Sequence, residues 1–379
     1  RLRSRGLGDV YKRQFLMCSA FSLVVQAATD GAHITKTISQ IERKKGIKRT
    51  IQYRPDGNDF VCVNGKNRYT RALYGGITDF RIETSDRPVF ATYKPKDSKH
   101  ICFRLQCGNQ SIALDSLKFC EARYRAGRRT YRLTDPLLGK GELNISVLAF
   151  PDAEGGIWRF TMKDMPEGAL LHCYISEIRA KNLSRNGDMG ADRADSFDAP
   201  QLPKEQKHYK LSLDGTTAYI VVEDQELRLP ALVEGTSLYD KSEKWRSEIE
   251  SSLQISTPDP YFNPLGGALA AAADGIWDGK IWLHGAIGWR SQLNGWRAAY
   301  IGDFIGWHDR ARTHFDSYAA SQVTDVPATI PHPTQDTALH LARSVKKWGT
   351  PHYSNGYICR TPYRKDQMHH YDMNLCYID

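Results

Sequence analysis

The sequence lacks the features that mark several common classes of protein. No apolar run approaches the length of a membrane-spanning helix, and no CxxC pair suggests a zinc site. No dense run of lysine and arginine is present, so a nucleic-acid partner is not expected. Of the eight cysteines, all but Cys18 lie beyond residue 28 at irregular spacing, which favours buried thiols over a disulfide framework. We therefore predict no cofactor, no metal and no membrane span.

The first 28 residues are predicted to lie outside the folded domains. Residues 4–14, SRGLGDVYKRQ, resemble the translation of a transposon-based sequencing adaptor, and we interpret residues 1–14 as an artefact of that kind. Residues 15–28 contain the apolar stretch from Phe15 to Val25, and small residues at Val25 and Ala27 suit signal peptidase. We interpret them as a signal peptide that has lost its basic start, which predicts a secreted, periplasmic protein. The alternative is a buried strand or helix at the start of the domain.

Leaving out residues 1–14 changes the charge balance. They hold five basic residues and one acidic residue, so the formal net charge of +9 falls to +5. A mildly basic protein needs no nucleic-acid partner to explain its charge, and an anionic substrate is compatible with it.

Residues 29–238 have the pattern of an antiparallel β-sandwich. Short runs rich in β-branched and aromatic residues recur, among them DFVCV, ICFRLQC, GELNISVLAF, GIWRFTM and TTAYIVVE. Tight hairpins need positive φ angles, which Asn-Gly and Asp-Gly pairs supply. The pairs of this kind are Asp56-Gly57, Asn64-Gly65 and Asp214-Gly215. The polar run at 182–206 predicts a long surface loop.

The pattern becomes helical near Tyr239. Residues 239–257 have the spacing and charge of a linker helix, and residues 258–379 are interpreted as the first part of a helical domain. In that part, Pro258 and Pro260 are placed at a helix start, followed by an alanine-rich body and an Asp-Gly pair. The chain stops within an amphipathic run, so we expect a fragment truncated at both ends.

Five of the eight tryptophans lie between Trp277 and Trp307, in a segment that repeats Gly-Trp. The repeats are Gly288-Trp289-Arg290, Gly295-Trp296-Arg297 and Gly306-Trp307, with Gly302-Asp303 between the last two and His308-Asp309-Arg310 after them. The seven-residue spacing of Trp289, Trp296 and Asp303 would place them on one helix face. Glycine, however, costs about 1 kcal/mol in a helix interior, so a loop is predicted instead.

This composition suits the binding of sugars. Indole faces stack on the apolar faces of sugar rings, while arginine, aspartate and histidine form hydrogen bonds to hydroxyl groups. Arginine can also form a bidentate contact with a uronate carboxylate. The alternative is that the tryptophans anchor helix packing and that the Asp–Arg pairs tie down loops.

A second group of candidate residues is His369-His370-Tyr371-Asp372. Asp372 has an alternative role as a helix N-cap, whose carboxylate accepts backbone N–H bonds. Paired histidines suggest a metal, but no third ligand is spaced to complete a site. We therefore predict no metal here, and we retain this group as candidate saccharide ligands.

The segment DGIWDGKIWLHGAIGWRSQLNGWRAAYIGDFIGWHDRARTHF, followed by HHYDMN, resembles the six-hairpin (α/α)6 glycosidase superfamily. Its secreted bacterial polysaccharide-degrading branch, near glycoside hydrolase family 142, is the most similar in these motifs. The resemblance extends over about residues 258–379. It implies a multidomain β + α fold, in which an antiparallel β-sandwich is followed by the truncated start of an (α/α)6 toroid.

The resemblance also implies that an oligo- or polysaccharide is hydrolysed by carboxylate general acid/base catalysis. Asp303, Asp309 and Asp372 occupy matching motif positions, with acid and base unassigned. The candidate substrate-binding residues are Trp289, Arg290, Trp296, Arg297, Trp307, His308, Arg310, His370 and Tyr371. A truncated toroid would hold only part of the site, so this chain alone is predicted to be inactive.

Two other functions are compatible with the sequence. A polysaccharide lyase on a toroid fold would use Tyr300 or a histidine to remove a proton, with Arg290 or Arg297 neutralising a uronate. A non-catalytic carbohydrate-binding protein would bind sugar without turning it over. A lyase product absorbs near-ultraviolet light through its new double bond, whereas a hydrolase product does not.

Overall fold

The computed structural model describes residues 52–94, 97–177, 207–283 and 296–322, together with positions 324, 335–336, 341–342, 356 and 358. These residues form two large antiparallel sheets that face each other, followed by helices. The predictions for residues 1–28 and for the loop at 182–206 fall outside them. In the part that is described, no helix has the length and apolar character needed to cross a membrane.

The eight-stranded sheet has the order β1 (Arg54–Asp56), β2 (Asp59–Val63), β8 (Phe119–Arg125), β9 (Arg128–Thr134), β10 (Glu142–Ala149), β11 (Gly155–Lys163), β14 (Thr217–Glu223) and β15 (Glu226–Arg228). The seven-stranded sheet has the order β13 (Lys207–Ser212), β12 (Leu170–Glu177), β6 (Asp97–Cys107), β5 (Val89–Lys94), β4 (Arg81–Ser85) and β3 (Tyr69–Tyr74), with β7 (Gln110–Ala113) paired to β6. A separate pair joins β16 (Gln335–Asp336) to β17 (Leu341–Ala342). The helices are α1 (Leu232–Ser251), α2 (Leu265–Gly275), α3 (Trp296–Phe304) and α4 (His308–Ala319).

Aromatic side chains fill the space between the two large sheets. Trp158 on β11 meets the edge of Phe90 on β5, with ring centroids 5.7 Å apart. Phe160 on β11 likewise meets Phe103 on β6 at 5.5 Å, and all four rings are at most 1% exposed. Complete burial of a side chain of this size stabilises a fold by about 1.5–3 kcal/mol relative to exposure. The predicted β-sandwich is therefore present.

Only one of the three predicted turn pairs closes a hairpin. Asp56-Gly57 connects β1 to β2, with Asp56 opposite Asp59. At Asn64-Gly65 the chain passes from the eight-stranded to the seven-stranded sheet, and at Asp214-Gly215 it passes back. These pairs were expected in hairpins because their φ preference is local, whereas the choice of the next sheet depends on the whole core.

Two tight hairpins were not predicted from the sequence. Ala126-Gly127 joins β8 to β9 with φ angles of +28° and +89°, and Asp224-Gln225 joins β14 to β15 with +47° and +65°. Positive φ at both central residues is the requirement of a type I′ turn. Alanine and glutamine are poor signals for this conformation, so these turns are imposed by the pairing of their strands.

Helix α1 lies across the outer face of the eight-stranded sheet. Tyr239 is 2% exposed, and its Oη lies 2.6 Å from Oγ of Ser146 on β10. At Gly235, a Cβ atom would lie 2.3 Å from the ring of Tyr219 on β14. We expected this helix at 239–257, but it begins and ends earlier. The helix begins earlier because Gly235, although glycine generally weakens helices, allows close contact with the sheet.

Helix α2 attaches the helical region to the sandwich. The Thr78 hydroxyl donates a hydrogen bond to the carbonyl oxygen of Gly275 at 2.7 Å, at the end of α2. A Cβ at Gly275 would lie 2.3 Å from the ring of Tyr74, so the helix end is packed directly onto β3. Pro264 precedes the first helical residue, whereas the predicted start at Pro258 and Pro260 is wrong because both lie in a preceding turn.

The described cysteines behave as small apolar side chains. They are the free thiols Cys62, Cys102, Cys107, Cys120 and Cys173, all of them buried except the half-buried Cys107. Burial raises the pKa of the Cys102 and Cys120 thiols to about 12. The interpretation of these cysteines as buried thiols is therefore confirmed.

Candidate functional site

A tight turn after α2 brings two of the clustered tryptophans together. Oδ1 of Asp278 accepts hydrogen bonds from two backbone N–H groups of the turn at 2.9 and 2.7 Å, and Gly279 has a φ of +95°. Trp277 and Trp282 pair across this turn with ring centroids 4.7 Å apart. Trp282 is completely buried, whereas Trp277 is half-buried. The sequence WDGKIW thus fixes one indole in the core and one at the surface.

The region predicted to be a glycine-rich loop contains a helical hairpin. Helix α3 includes both Trp296 and Asp303, and α4 follows a turn at Gly306, where φ is +79°. At Gly302 within α3, a Cβ atom would lie 2.6 Å from Cη2 of Trp282. The loop prediction is therefore wrong at 296–304, because this glycine serves close helix packing against a buried indole.

Arg310, in the first turn of α4, joins α4 to the end of α2. Its Nη1 donates a hydrogen bond to Oδ1 of Asp274 at 2.7 Å. The guanidinium carbon lies 4.3 Å from the ring centroid of Trp307 and 5.7 Å from that of Trp277, within the range of cation–π attraction. We call Asp274, Trp277, Trp307 and Arg310 the helix cluster.

Asp274 is the buried carboxylate of the helix cluster and is only 7% exposed. Burial raises the pKa of its carboxyl group, while the charge and the hydrogen bond of Arg310 act in the opposite direction. Arg310 is therefore held as a planar cation beside two indoles by a carboxylate that is sheltered from water.

Two of the predicted catalytic carboxylates lie at the edge of the helix cluster. Asp303 Oδ1 is 3.2 Å from Nδ1 of His308, and these side chains are 73% and 67% exposed. The Asp309 side chain is 99% exposed and lies 3.9 Å from Arg312. Both carboxylates are therefore in contact with solvent. Their assignment as catalytic residues stays a prediction.

The structure therefore brings together part of the predicted site. Trp307 is the N-cap of α4, and His308 and Arg310 lie in its first turn, next to Asp303 at the end of α3. Trp296 and Arg297 lie at the start of α3. The remaining candidates, Trp289, Arg290, His370, Tyr371 and Asp372, fall outside the described residues.

Sequence reasoning missed Asp274 as a site residue. It lies near the end of an alanine-rich helix, in a context that indicated only a helix terminus. Its pairing with Arg310 depends on the packing of α2 against α4, which local sequence does not encode. The neighbouring tryptophan cluster was the one available signal.

The arrangement provides aromatic surface, a planar cation with N–H donors, and exposed carboxylate and imidazole groups. This combination suits a polar ligand with both hydroxyl groups and apolar ring faces. Within the described residues, no group of three or more His, Cys, Asp or Glu side chains is placed to hold a metal ion.

The chain is similar to a family of unknown function and to solved structures. A family model described as a domain of unknown function (DUF4450) matches residues 95–222, within the β-sandwich. Among solved structures, the chain is similar to a bacterial glucoamylase complexed with acarbose, with 10% identity and a TM-score of 0.38. That match covers 73% of this chain and 53% of the glucoamylase, so the chain spans about half the length of that protein. No curated protein sequence matches the chain.

Proposed function

We propose that this chain is part of a secreted glycoside hydrolase and that the helix cluster contacts its saccharide substrate. The observation that carries the proposal is the Arg310 guanidinium, held beside the Trp277 and Trp307 rings by buried Asp274. Aromatic surface combined with a few fixed hydrogen-bond donors is common in sites that bind small polar ligands. The resemblance to the six-hairpin glycosidases near family 142 supplies the expected reaction.

The exposed carboxylates are the proposed catalytic groups. Asp303, next to His308, and Asp309 are the described candidates for the general acid and base, with Asp372 as the third. A substrate that covers them would exclude water from the two carboxylates. We include three further predictions in this proposal. They are the (α/α)6 toroid fold, secretion into the periplasm and the relation to the family 142 branch of the six-hairpin glycosidases.

A second candidate function is non-catalytic carbohydrate binding. It is favoured by one observation, the high exposure of Asp303 and Asp309, because catalytic residues commonly lie in concave and partly enclosed sites. In this case the helix cluster would bind saccharide in the same way, but no bond would be cleaved.

The binding step is tested on this chain by calorimetric titration with neutral trisaccharides: maltotriose, cellotriose and mannotriose. We expect at least one to bind, and Trp307→Ala to weaken that binding by about 3- to 10-fold through loss of the aromatic contact. Trp245→Ala is the matched control, since Trp245 is a half-buried tryptophan on α1. No binding, or equal effects of the two substitutions, would overturn the proposal.

The reaction is tested on the product of the complete reading frame. Hydrolysis predicts new reducing ends without near-ultraviolet absorbance, and Asp303→Asn or Asp309→Asn should abolish them if either carboxylate is catalytic. Absorbing products would indicate a lyase instead. Binding without either product at high enzyme concentration would establish the non-catalytic alternative.

A further inference from the structure

A concave groove lies on the outer face of the eight-stranded sheet, next to α1 and separate from the helix cluster. Its volume is about 340 Å³. Four arginines line it, Arg123, Arg128, Arg132 and Arg159, and we call it the arginine groove. Its other lining residues include one acidic side chain, Glu121, so positive charge predominates on its walls.

Strand register places the polar residues of the groove in rows. Thr130 on β9 is opposite Arg123 on β8 and Ser146 on β10, and Ser146 is opposite Arg159 on β11. In the next row outward, Asn144 is opposite both Arg132 and Thr161. Because alternate residues of a strand share a face, these side chains project from the same side of the sheet.

Three of the four arginines already have acidic partners. The ion pairs are Arg123 with Glu121 at 2.8 Å, Arg128 with Glu243 at 2.7 Å and Arg132 with Glu142 at 3.3 Å. These contacts neutralise much of the charge and hold the three guanidinium groups in place.

Arg159 differs from the other three. Its guanidinium carbon lies 3.8 Å from the ring centroid of Tyr239. Its Nε, like that of Arg128, is buried without a hydrogen-bond acceptor, so a ligand in the groove would meet the two Nη atoms. No acid among the described residues forms an ion pair with it. Tyr239 is itself fixed by the hydrogen bond to Ser146. A cation that is held against an aromatic ring and has no acidic partner among the described residues is suited to bind an anion.

The groove also offers neutral hydrogen-bonding groups around this cation. The hydroxyls of Thr130 and Thr161 and the amide oxygen of Asn144 line it, and Asn144 Nδ2 is used by Glu142 at 2.9 Å. A carboxylate matches the fork of an arginine, while neighbouring hydroxyl groups match threonine and asparagine. A ligand that has both a carboxylate and neighbouring hydroxyl groups is an acidic sugar.

We propose that the arginine groove is a second carbohydrate site, which binds a hexuronate residue of an acidic oligosaccharide through Arg159. The carboxylate of the sugar forms the bidentate contact with the guanidinium, and its hydroxyl groups face Thr130 and Thr161. The choice of a sugar over other carboxylates rests on the proposed function, whereas the anion specificity rests on the groove alone.

The test is calorimetric titration of the full chain with trigalacturonate and with galactotriose, its neutral counterpart. It is carried out on the Trp307→Ala background, so that failure of the helix cluster and failure of the groove are seen separately. We expect trigalacturonate to bind and galactotriose to bind at least tenfold more weakly, since a hydrogen bond to a charged group is lost.

Arg159→Gln should weaken trigalacturonate binding by roughly 10- to 100-fold, and Arg159→Lys by less, because lysine keeps the charge without the fork. Arg104→Gln is the matched control: it removes one half-buried arginine from the seven-stranded sheet and should leave binding unchanged. Thr161→Val provides a variant that leaves Arg159 in place. It should weaken binding of trigalacturonate but not of inorganic sulfate.

Several results would overturn the proposal. These are equal binding of the neutral and acidic trisaccharides, no effect of both Arg159→Gln and Thr161→Val, or an equal loss with Arg104→Gln. If sulfate binds as tightly as trigalacturonate and Thr161→Val has no effect, the groove is a general anion site. That result would refute the proposal that it recognises a sugar.

Discussion

The contact between Asp274 and Arg310 allows a sharp prediction, because its two partners differ in burial. The Asp274 side chain is 6% exposed and that of Arg310 is 28% exposed. Substitution of Arg310 by methionine keeps the helix propensity and the length of the side chain but leaves the carboxylate buried without its partner. Substitution of Asp274 by asparagine leaves a guanidinium that still reaches water.

The expected losses of unfolding free energy follow from that asymmetry. Removing one member of a buried ion pair costs about 3–5 kcal/mol, and the partial hydration of this pair places Arg310→Met near the lower end, about 3 kcal/mol at pH 7. Asp274→Asn should cost about 1 kcal/mol, the value of one hydrogen bond. The double variant should recover most of the loss in Arg310→Met, since the uncompensated charge is gone.

The pH dependence has a definite sign. Burial raises the pKa of Asp274 in the folded state, so protonation favours the folded state and the benefit is lost as pH rises through the folded pKa. Without Arg310, whose charge lowers this pKa, the effect is larger. Arg310→Met should therefore recover stability relative to the wild type when the pH is lowered from 7 to 5.

The assay is urea unfolding followed by tryptophan fluorescence at both pH values, because the indoles of Trp277 and Trp307 lie beside this contact. The reasoning is refuted if Asp274→Asn is as damaging as Arg310→Met, or if the double variant is no more stable than Arg310→Met. A loss in Arg310→Met that does not change between pH 7 and pH 5 would also contradict it.

Three further predictions concern packing and buried charge. Gly302→Ala should lose about 1–3 kcal/mol in urea unfolding, because the added Cβ would lie 2.6 Å from Trp282, whereas Gly279→Ala meets no atom and should cost about 1–2 kcal/mol through its positive φ alone. Trp158→Ala should cost about 3–5 kcal/mol in the same assay, through loss of a fully buried indole. Burial lowers the pKa of His100 to about 4, so the folded protein should lose stability as the pH falls from 6.5 to 4, and thermal unfolding should show that His100→Leu reduces this loss.

Much of the sandwich was predictable because strand formation has a local signature. β8 alternates buried and half-buried residues along FCEARYR, the pattern expected of a strand with one face in the core. β4 and β5 are buried nearly throughout, so their sequences do not alternate between apolar and polar residues. The sheet to which each strand belongs had no such signal.

The candidate site was predictable only in part. The repeated tryptophans indicated the correct region, and Trp307, His308 and Arg310 do lie together at the start of α4, where Trp307 is the N-cap. Asp274 was missed, because its role depends on a partner far along the chain. The preference of glycine for loops led to the wrong structure at Gly302, where packing against Trp282 outweighs the propensity cost.

By itself, the sequence determined the class of the β domain, the aromatic region and the turn at Asp56-Gly57, since these follow from periodicity, composition and local φ preference. Only the tertiary structure decided which carboxylate is buried against Arg310 and which of the four arginines of the arginine groove has no acidic partner among the described residues. The physical reason is that ion pairing and burial arise between residues that are distant in the chain. They come together only when strand register and helix packing have been set by the whole core.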